Sequence, residues 1–140
     1  MDFSAQLNHI LNEEFSEDYR AAVGIVQSGD KWLLGLSRAN DDRSKLWVFP
    51  GGGIKKGESP EKAVIREVYE ETNVRCKVVG KPIQLPSKKG VAFIHCKAIS
   101  PLRDGLENNH EFAALGWFKL SDMKGLKLYH NVKKLIDRVK

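Results

Sequence analysis

The stretch PGGGIKKGESPEKAVIREVYEETNV, residues 50–74, decides how the rest of the chain is read. Ser59 is a good N-cap, Pro60 fits the first helical position because the N–H it lacks would be unpaired there, and Glu61 favours the first turn. A helix is therefore expected from Pro60. At about 100° per residue, Val64, Val68, Thr72, Ile65 and Tyr69 share one arc, which is predicted to be buried. Glu67, Glu70 and Glu71 gather on the opposite side, with Ala63 among them leaving room for another segment to come close. Glu67 and Glu71 stand four residues apart and repel by roughly 0.2–0.5 kcal/mol. No lysine relieves them, and only Glu70 has a basic neighbour one turn back, Arg66.

An acidic cluster of this kind is either a solvent face or a seat for a hard divalent cation. Oxygen-only ligands suit Mg²⁺ or Mn²⁺. The lead-in favours the second reading. Gly51, Gly52 and Gly53 let backbone approach a ligand closely, and Gly57 permits the turn back into the helix. The loop is not a Walker P-loop, because no GxxxxGK[ST] occurs in the chain.

Outward from this stretch, AAVGIVQ and KWLLGLS read as two strands of a hairpin separated by Ser28-Gly29-Asp30, RANDDRSK as a loop, and LWVF as a strand ended by Pro50. VRCKVVG, PIQL, GVAFIHCKAI and ALGWFKL are further strand candidates, and Ser121 is expected to cap a short turn. Helical spacing of Leu7, Ile10, Leu11 and Phe15 predicts an amphipathic helix over about 4–15, and Val132, Leu135, Ile136 and Val139 predict another over about 129–139. Strands interleaved with a few helices imply an α/β sheet with helices on its faces. No repeat or low-complexity segment divides the 140 residues, so one domain over 1–140 is expected.

Composition limits the class of protein. A hydrophobic content of 41% is enough for a core. No run of 18 apolar residues occurs, and MDFSAQLNHILNEEF is too acidic for a secretory or transit peptide, so a cytoplasmic protein without a membrane anchor is expected. Cys76 and Cys96 sit in apolar runs without a CxxC partner and read as buried thiols. The net charge of +5 is concentrated in residues 119–140, where seven Lys or Arg face Asp122 and Asp137. That tail is either a solvated helix face or a surface for an anion such as RNA.

The spacing Gly52, five residues, Glu58, seven residues, Arg66-Glu67-Val68, one residue, Glu70-Glu71, one residue, Asn73-Val74 resembles the Nudix box, the signature of the Nudix hydrolases. Asn73 stands where the family has glycine, and Asn is the residue that best replaces glycine in the left-handed conformation at a helix end. The surroundings LLGLSR, LWVFPGGGI and HEFAALGWFKLSDM extend the resemblance from about residue 20 to 125. It implies the Nudix fold, an α/β/α sandwich with a mixed sheet between helices, and Mg²⁺-dependent hydrolysis of a nucleoside diphosphate linked to another group, with Mn²⁺ as the substitute metal. Carried over by position, Glu67, Glu70 and Glu71 become metal ligands, with Gly52 offering its carbonyl. Arg66 becomes the group that orients the glutamates, and Glu58 a support or a water-mediated ligand. Glu111 is the expected acid from outside the box, with Glu107 as the fallback, and Glu70 or Glu111 the expected base.

Substrate identity is less legible. Arg38, Arg43 and Lys55, with Lys56, flank the box and are candidates to grip phosphates, each weighed against simple solvation. Trp47, Phe93, His95 and Phe112 are candidates to stack a base, with core packing the commoner role for Trp47 and Phe93. The chain lacks the tyrosine of dinucleoside polyphosphate hydrolases and the proline that marks ADP-ribose hydrolases, and only half matches the coenzyme A pattern. Three functions therefore stay open: a small-nucleotide pyrophosphohydrolase acting on an NTP, a nucleotide sugar or a related compound; an RNA 5′-end pyrophosphohydrolase; and a non-catalytic nucleotide-binding module. A homodimer is compatible with each.

Overall fold

The computed structural model describes residues 19–100 and 110–140, so the helix expected over 4–15 and the acid Glu107 lie outside the described residues. Strand β1 (Ala21–Ser28) is the spine. Its side chains alternate, Ala22 and Val26 packing on one face of the sheet and Val23 and Ile25 on the other, the period-two pattern that lets one strand serve two cores. β1 pairs antiparallel with β2 (Lys31–Ser37) and parallel with β6 (Val91–Ala98), from Ala21↔Val91 to Gln27↔Lys97. The parallel pairing makes the seven-stranded sheet mixed. β3 (Trp47–Val48) and β7 (Phe112–Lys119) flank β2, and β5 (Cys76–Val78) closes the other edge on β6. The three glycines expected as loop form the short strand β4 (Gly51–Gly53), laid antiparallel on the start of β1 through Ala22↔Gly52.

Two helices cover the sheet. Helix α1 (Pro60–Thr72) packs Ala63, Val64 and Val68 against Ala22, Val26, Leu33 and Ile94. Helix α2 (Val132–Val139) packs Val132, Leu135 and Ile136 against Ile25, Leu34 and Phe93 on the opposite face. Helices on both faces of a mixed sheet are the expected sandwich, and each fully buried Val, Leu or Ile contributes about 1.5–3 kcal/mol to holding it together.

α1 begins and ends as its sequence predicts. Ser59 Oγ accepts from Lys62 N–H at 3.2 Å, and Asn73 adopts φ 62°, ψ 16° while its N–H donates to Tyr69 O at 2.8 Å. The buried arc, however, is rotated from the expected one. Ala63 is fully buried on the sheet, whereas Ile65 and Tyr69 are 38% and 42% exposed. The methyl of Ala63 lets the helix settle close to the strands on that side, which turns Ile65 and Tyr69 outward, and the Arg75 guanidinium lies 5.3 Å from the Tyr69 ring centre.

Other expectations are trimmed. PIQL forms no strand, only one bridge from Ile83 to Phe93, because Pro82 and Pro86 bracket it and cannot donate to a ladder. LWVF and VRCKVVG shorten to Trp47–Val48 and Cys76–Val78. Ser121 lies inside a 3-10 helix over Leu120–Gly125 whose N-cap is Lys119, with Asp122 Oδ2 accepting from the Lys119 N–H at 3.3 Å. Cys76 and Cys96 are free and buried. Among the described residues no helix is long and apolar enough to cross a membrane.

Candidate active site

The carboxylates of α1 meet the glycine strand because β4 and α1 both pack on the start of β1. Gly52 is the point of closest approach. A Cβ built on it would lie 2.5 Å from Glu67 Cδ and Oε2, so any side chain there would displace the carboxylate. Next to it, Glu71 Oε2 accepts the Gly51 N–H at 3.1 Å. Gly57, with φ +81°, makes the turn that returns the chain to Ser59.

Arg66 organises the cluster. Its Nε and Nη2 donate to the two oxygens of Glu58 at 2.8 and 2.9 Å, and Nη2 also reaches Gly53 O at 2.9 Å. Its Nη1 donates to Glu67 Oε1 at 2.9 Å and Glu70 Oε2 at 3.2 Å. One planar fork thus ties the loop, the helix start and two glutamates together, which lysine could not do. Glu58, held by Arg66 and by the Lys55 N–H, has its carboxyl lowered from 4.5 to about 2. Glu71 goes the other way. Burial pushes its carboxyl up to about 8, against the pull of the Gly51 N–H, and the Glu67 and Glu111 charges push in the same direction. Glu111 therefore stands near Glu71, at the bend just before β7, and its main-chain O accepts the Arg38 N–H at 3.0 Å.

This donor set is all oxygen, and the Glu67 and Glu111 charges raise the proton affinity of Glu71, which suits a hard divalent cation. No group of three or more His, Cys, Asp or Glu among the described residues is already arranged as a metal cage. The physical reason is visible: Arg66 engages Glu67 and Glu70, and Gly51 engages Glu71. A cation would compete with those donors, and Glu70, whose side chain is 52% exposed, has space to turn.

Beside the glycines opens a cavity of about 260 Å³. Its apolar walls include Val48, Phe49, Val91 and Phe93, and its polar lining includes Asp41, Asp42, Arg43, Lys88, Tyr129 and Asn131. Tyr129 Oη donates to Asp42 Oδ2 at 2.7 Å, Lys88 Nζ lies 3.7 Å from the same oxygen, and the ammonium sits 5.2 Å from the Tyr129 ring centre. These contacts join three segments distant in sequence.

The candidate phosphate-gripping residues separate. Arg43 lines the cavity but is paired with Asp41, Nη2 to Oδ2 at 2.6 Å. Arg38 is exposed and is not part of the cavity wall, and Lys55 lines a different cleft with Lys56, Ser59 and Pro82. Of the base-stacking candidates only Phe93 reaches the cavity. Trp47 packs edge-on against Phe118 at 5.0 Å, Phe112 is buried in the core, and His95 Nε2 is 2.8 Å from Gln27 Oε1. Sequence reasoning missed Asp42, Lys88, Tyr129 and Asn131. Their one available signal was a polar residue, Asn131, at the head of an amphipathic helix.

The family model described as the NUDIX domain matches residues 18–139. Over 64 residues the chain is 47% identical to an RNA pyrophosphohydrolase of Bartonella clarridgeiae, covering 41% of this chain and 37% of that protein. The chain thus matches well under half the length of that curated relative. Among solved structures, a NUDIX-family hydrolase from Clostridium perfringens aligns with a TM-score of 0.65 at 19% identity over 87% of this chain and 99% of the other, a likeness of fold alone. An ADP-ribose pyrophosphatase from Streptococcus suis 89-1591 aligns with a TM-score of 0.63 at 25% identity, over 83% and 85% of the two chains.

Proposed function

From the premise that the chain belongs to the Nudix family, we propose that it is a divalent-cation-dependent pyrophosphohydrolase that cleaves a phosphoric anhydride bond of a small nucleotide. The observation that carries this reading is the close approach of the Gly52 backbone to the Glu67 carboxylate, beside the half-buried Glu71, with Gly52 also lining the cavity. Glu67, Glu70, Glu71 and Glu111, with the Gly52 carbonyl, are the groups that would hold Mg²⁺ or Mn²⁺. When bound, such an ion neutralises charge on phosphate oxygens and acidifies water. The chain's own work is positional: Arg66 fixes Glu67 and Glu70, the glycine strand brings main chain beside the phosphates, and the cavity holds the remainder of the substrate. A carboxylate takes the proton of the attacking water, and Glu70 or Glu111, both exposed enough to turn toward solvent, is assigned that role.

A second reading, hydrolysis at an RNA 5′ end, is favoured by the names of the curated relatives, several of which are RNA pyrophosphohydrolases. The concentration of Lys and Arg in residues 119–140 is compatible with it. A hydrolysis screen with Mg²⁺ over NTPs, nucleotide sugars, ADP-ribose, dinucleoside polyphosphates and 5′-triphosphate RNA tests both readings, with Glu70→Gln as the control. Turnover of small nucleotides with weak salt dependence supports the first reading. Preferred turnover of RNA that falls steeply with salt supports the second. No turnover of any of them overturns the enzyme reading.

A further inference from the structure

The apolar side chains left on the surface gather in one place. Of the five large ones that stand exposed among the described residues, Ile65, Tyr69 and Ile99 line a single cleft of about 400 Å³, together with Arg66, Arg75 and Cys76. Its walls thus come from the outward flank of α1, the start of β5 and the residue just past β6, where Ile99 is 60% exposed. Isolated apolar side chains on a surface are ordinary, but an apolar cleft shared by three elements marks a place where something packs.

Charge narrows what that something is. Both charged residues of the wall are arginines, and Lys62, three and seven residues before Ile65 and Tyr69, falls on the same flank of α1. Arg66 is taken up by Glu58, Glu67 and Glu70, whereas among the described residues neither Arg75 nor Lys62 is ion-paired with a carboxylate. Pairing two copies through this cleft would gather like charges at the centre of the contact. An occupant that is apolar on one side and acidic on the other fits better, and the chain carries one. Residues 1–18 hold five of its 18 acidic residues and none of its 23 Lys and Arg, so they stand at −5 and the remaining residues at +10. Their Leu7, Ile10, Leu11 and Phe15 have helical spacing.

We propose that residues 4–15 of this chain pack in the cleft, Leu7, Ile10, Leu11 and Phe15 on Ile65, Tyr69 and Ile99, with the flanking acids toward Arg75 and Lys62. Chain length allows it. The described chain begins at Tyr19, which packs on the same core as α1 and lines a separate cleft with Ser59, Pro60 and Glu61 at the helix start. A segment of this length spans about 18 Å as a helix, and the 13 residues of α1 span about 20 Å. Running back from Tyr19 along α1, it reaches past Tyr69 toward Arg75 and Ile99. The consequence concerns the glutamates. Arg66, whose fork holds Glu67 and Glu70, lines the same cleft, so the packed segment braces the helix that presents them. The inference is independent of which substrate is cleaved.

A double-mutant cycle on the full chain tests this, because residues in contact do not contribute independently. Leu11→Asp and Ile65→Asp should each lower the melting temperature by about 4 °C or more. The double variant should fall no further than the lower of the two, since either substitution already releases the segment. Sedimentation at several protein concentrations should show a monomer throughout. If either single variant melts like wild type, or if the two losses add in full in the double variant, the inference is overturned. A dimer that Ile65→Asp dissociates and Leu11→Asp leaves intact would assign the cleft to a second copy and overturn it as well. None of these measurements depends on turnover, so a failure of the proposed hydrolase activity would leave the inference standing.

Discussion

The Glu67 carboxylate occupies the space where a side chain on residue 52 would begin, 2.5 Å from a Cβ built on Gly52. A side chain at residue 52 is thus accommodated only if the Glu67 carboxylate, the end of a flexible side chain, moves aside. Gly52→Ala should therefore fold with a loss of no more than about 1 kcal/mol. It should lose activity by at least about tenfold, because Glu67 must turn away. Urea denaturation and steady-state hydrolysis check the two effects. An alanine variant with wild-type activity would mean that Glu67 does not need this position.

Arg66 offers the second handle, because its fork satisfies Glu58, Glu67, Glu70 and Gly53 O together. Arg66→Lys keeps the charge but reaches at most two or three of these acceptors from a single nitrogen. A destabilisation of about 1–2 kcal/mol is expected, modest because the side chain is partly exposed. The turnover number should fall more than the Michaelis constant rises, since the glutamates lose their orientation while the cavity is untouched. Equal melting temperatures and equal turnover would show that the fork is incidental.

Much of this site was readable in the sequence, and the reason is local. Ser59, Pro60 and Asn73 act within one or two turns of backbone, so the ends of α1 could be placed from residue types alone. Glu67, Glu70 and Glu71 share a face through helical periodicity alone. The misread face of α1 has a tertiary cause: periodicity orders residues around a helix but does not say how far a small residue such as Ala63 lets it roll onto the sheet. The polar wall of the cavity failed for the same kind of reason. Asp42, Lys88 and Tyr129 meet only because the fold brings together the loop after β2, the turn before β6 and the lead-in to α2. No spacing in the chain encodes that meeting.

Glu58 provides the pH prediction. Its folded carboxyl is lowered from 4.5 to about 2, first by the Arg66 hydrogen bonds and then by the Lys55 N–H. A depressed folded pKa means that the ionised form stabilises the fold. The contribution is complete above about pH 4.5 and is lost as the pH falls toward about 2. Glu58→Gln, which cannot ionise, should melt below wild type near neutrality, and the gap should narrow steadily between about pH 5 and pH 3. Thermal melts across that range measure it, and a gap independent of pH would remove the ion pair as the cause.

Asn73 tests the helix end. At φ 62° a residue with a Cβ is strained unless, like Asn, it tolerates the left-handed region. Asn73→Gly should therefore stay within about 0.5 kcal/mol of wild type, whereas Asn73→Val should lose about 1–2 kcal/mol. Because α1 carries the glutamates, the valine variant should also fray the turn that holds Glu70 and Glu71. Hydrogen exchange at the amides of residues 70–73 would report this as faster exchange in the valine variant alone.

Glu71 ties stability to function in opposite directions. Its carboxyl is pushed up from 4.5 to about 8 by burial and by the charges of Glu67 and Glu111, so in metal-free protein it costs the fold stability increasingly from about pH 4.5 to about pH 8, through the proton the folded state must keep and then through an unfavourable charge. Glu71→Gln keeps an acceptor for the Gly51 N–H, removes the charge, and should raise the melting temperature in chelator by several degrees, about 1–2 kcal/mol. The same variant should lose Mg²⁺-dependent hydrolysis almost entirely and should gain little stability from added Mg²⁺, whereas wild type is stabilised by the ion through mass action. Melting curves with and without Mg²⁺ separate the two effects. If the glutamine variant were less stable than wild type in chelator, burial of the Glu71 charge would not be the strain that the site stores.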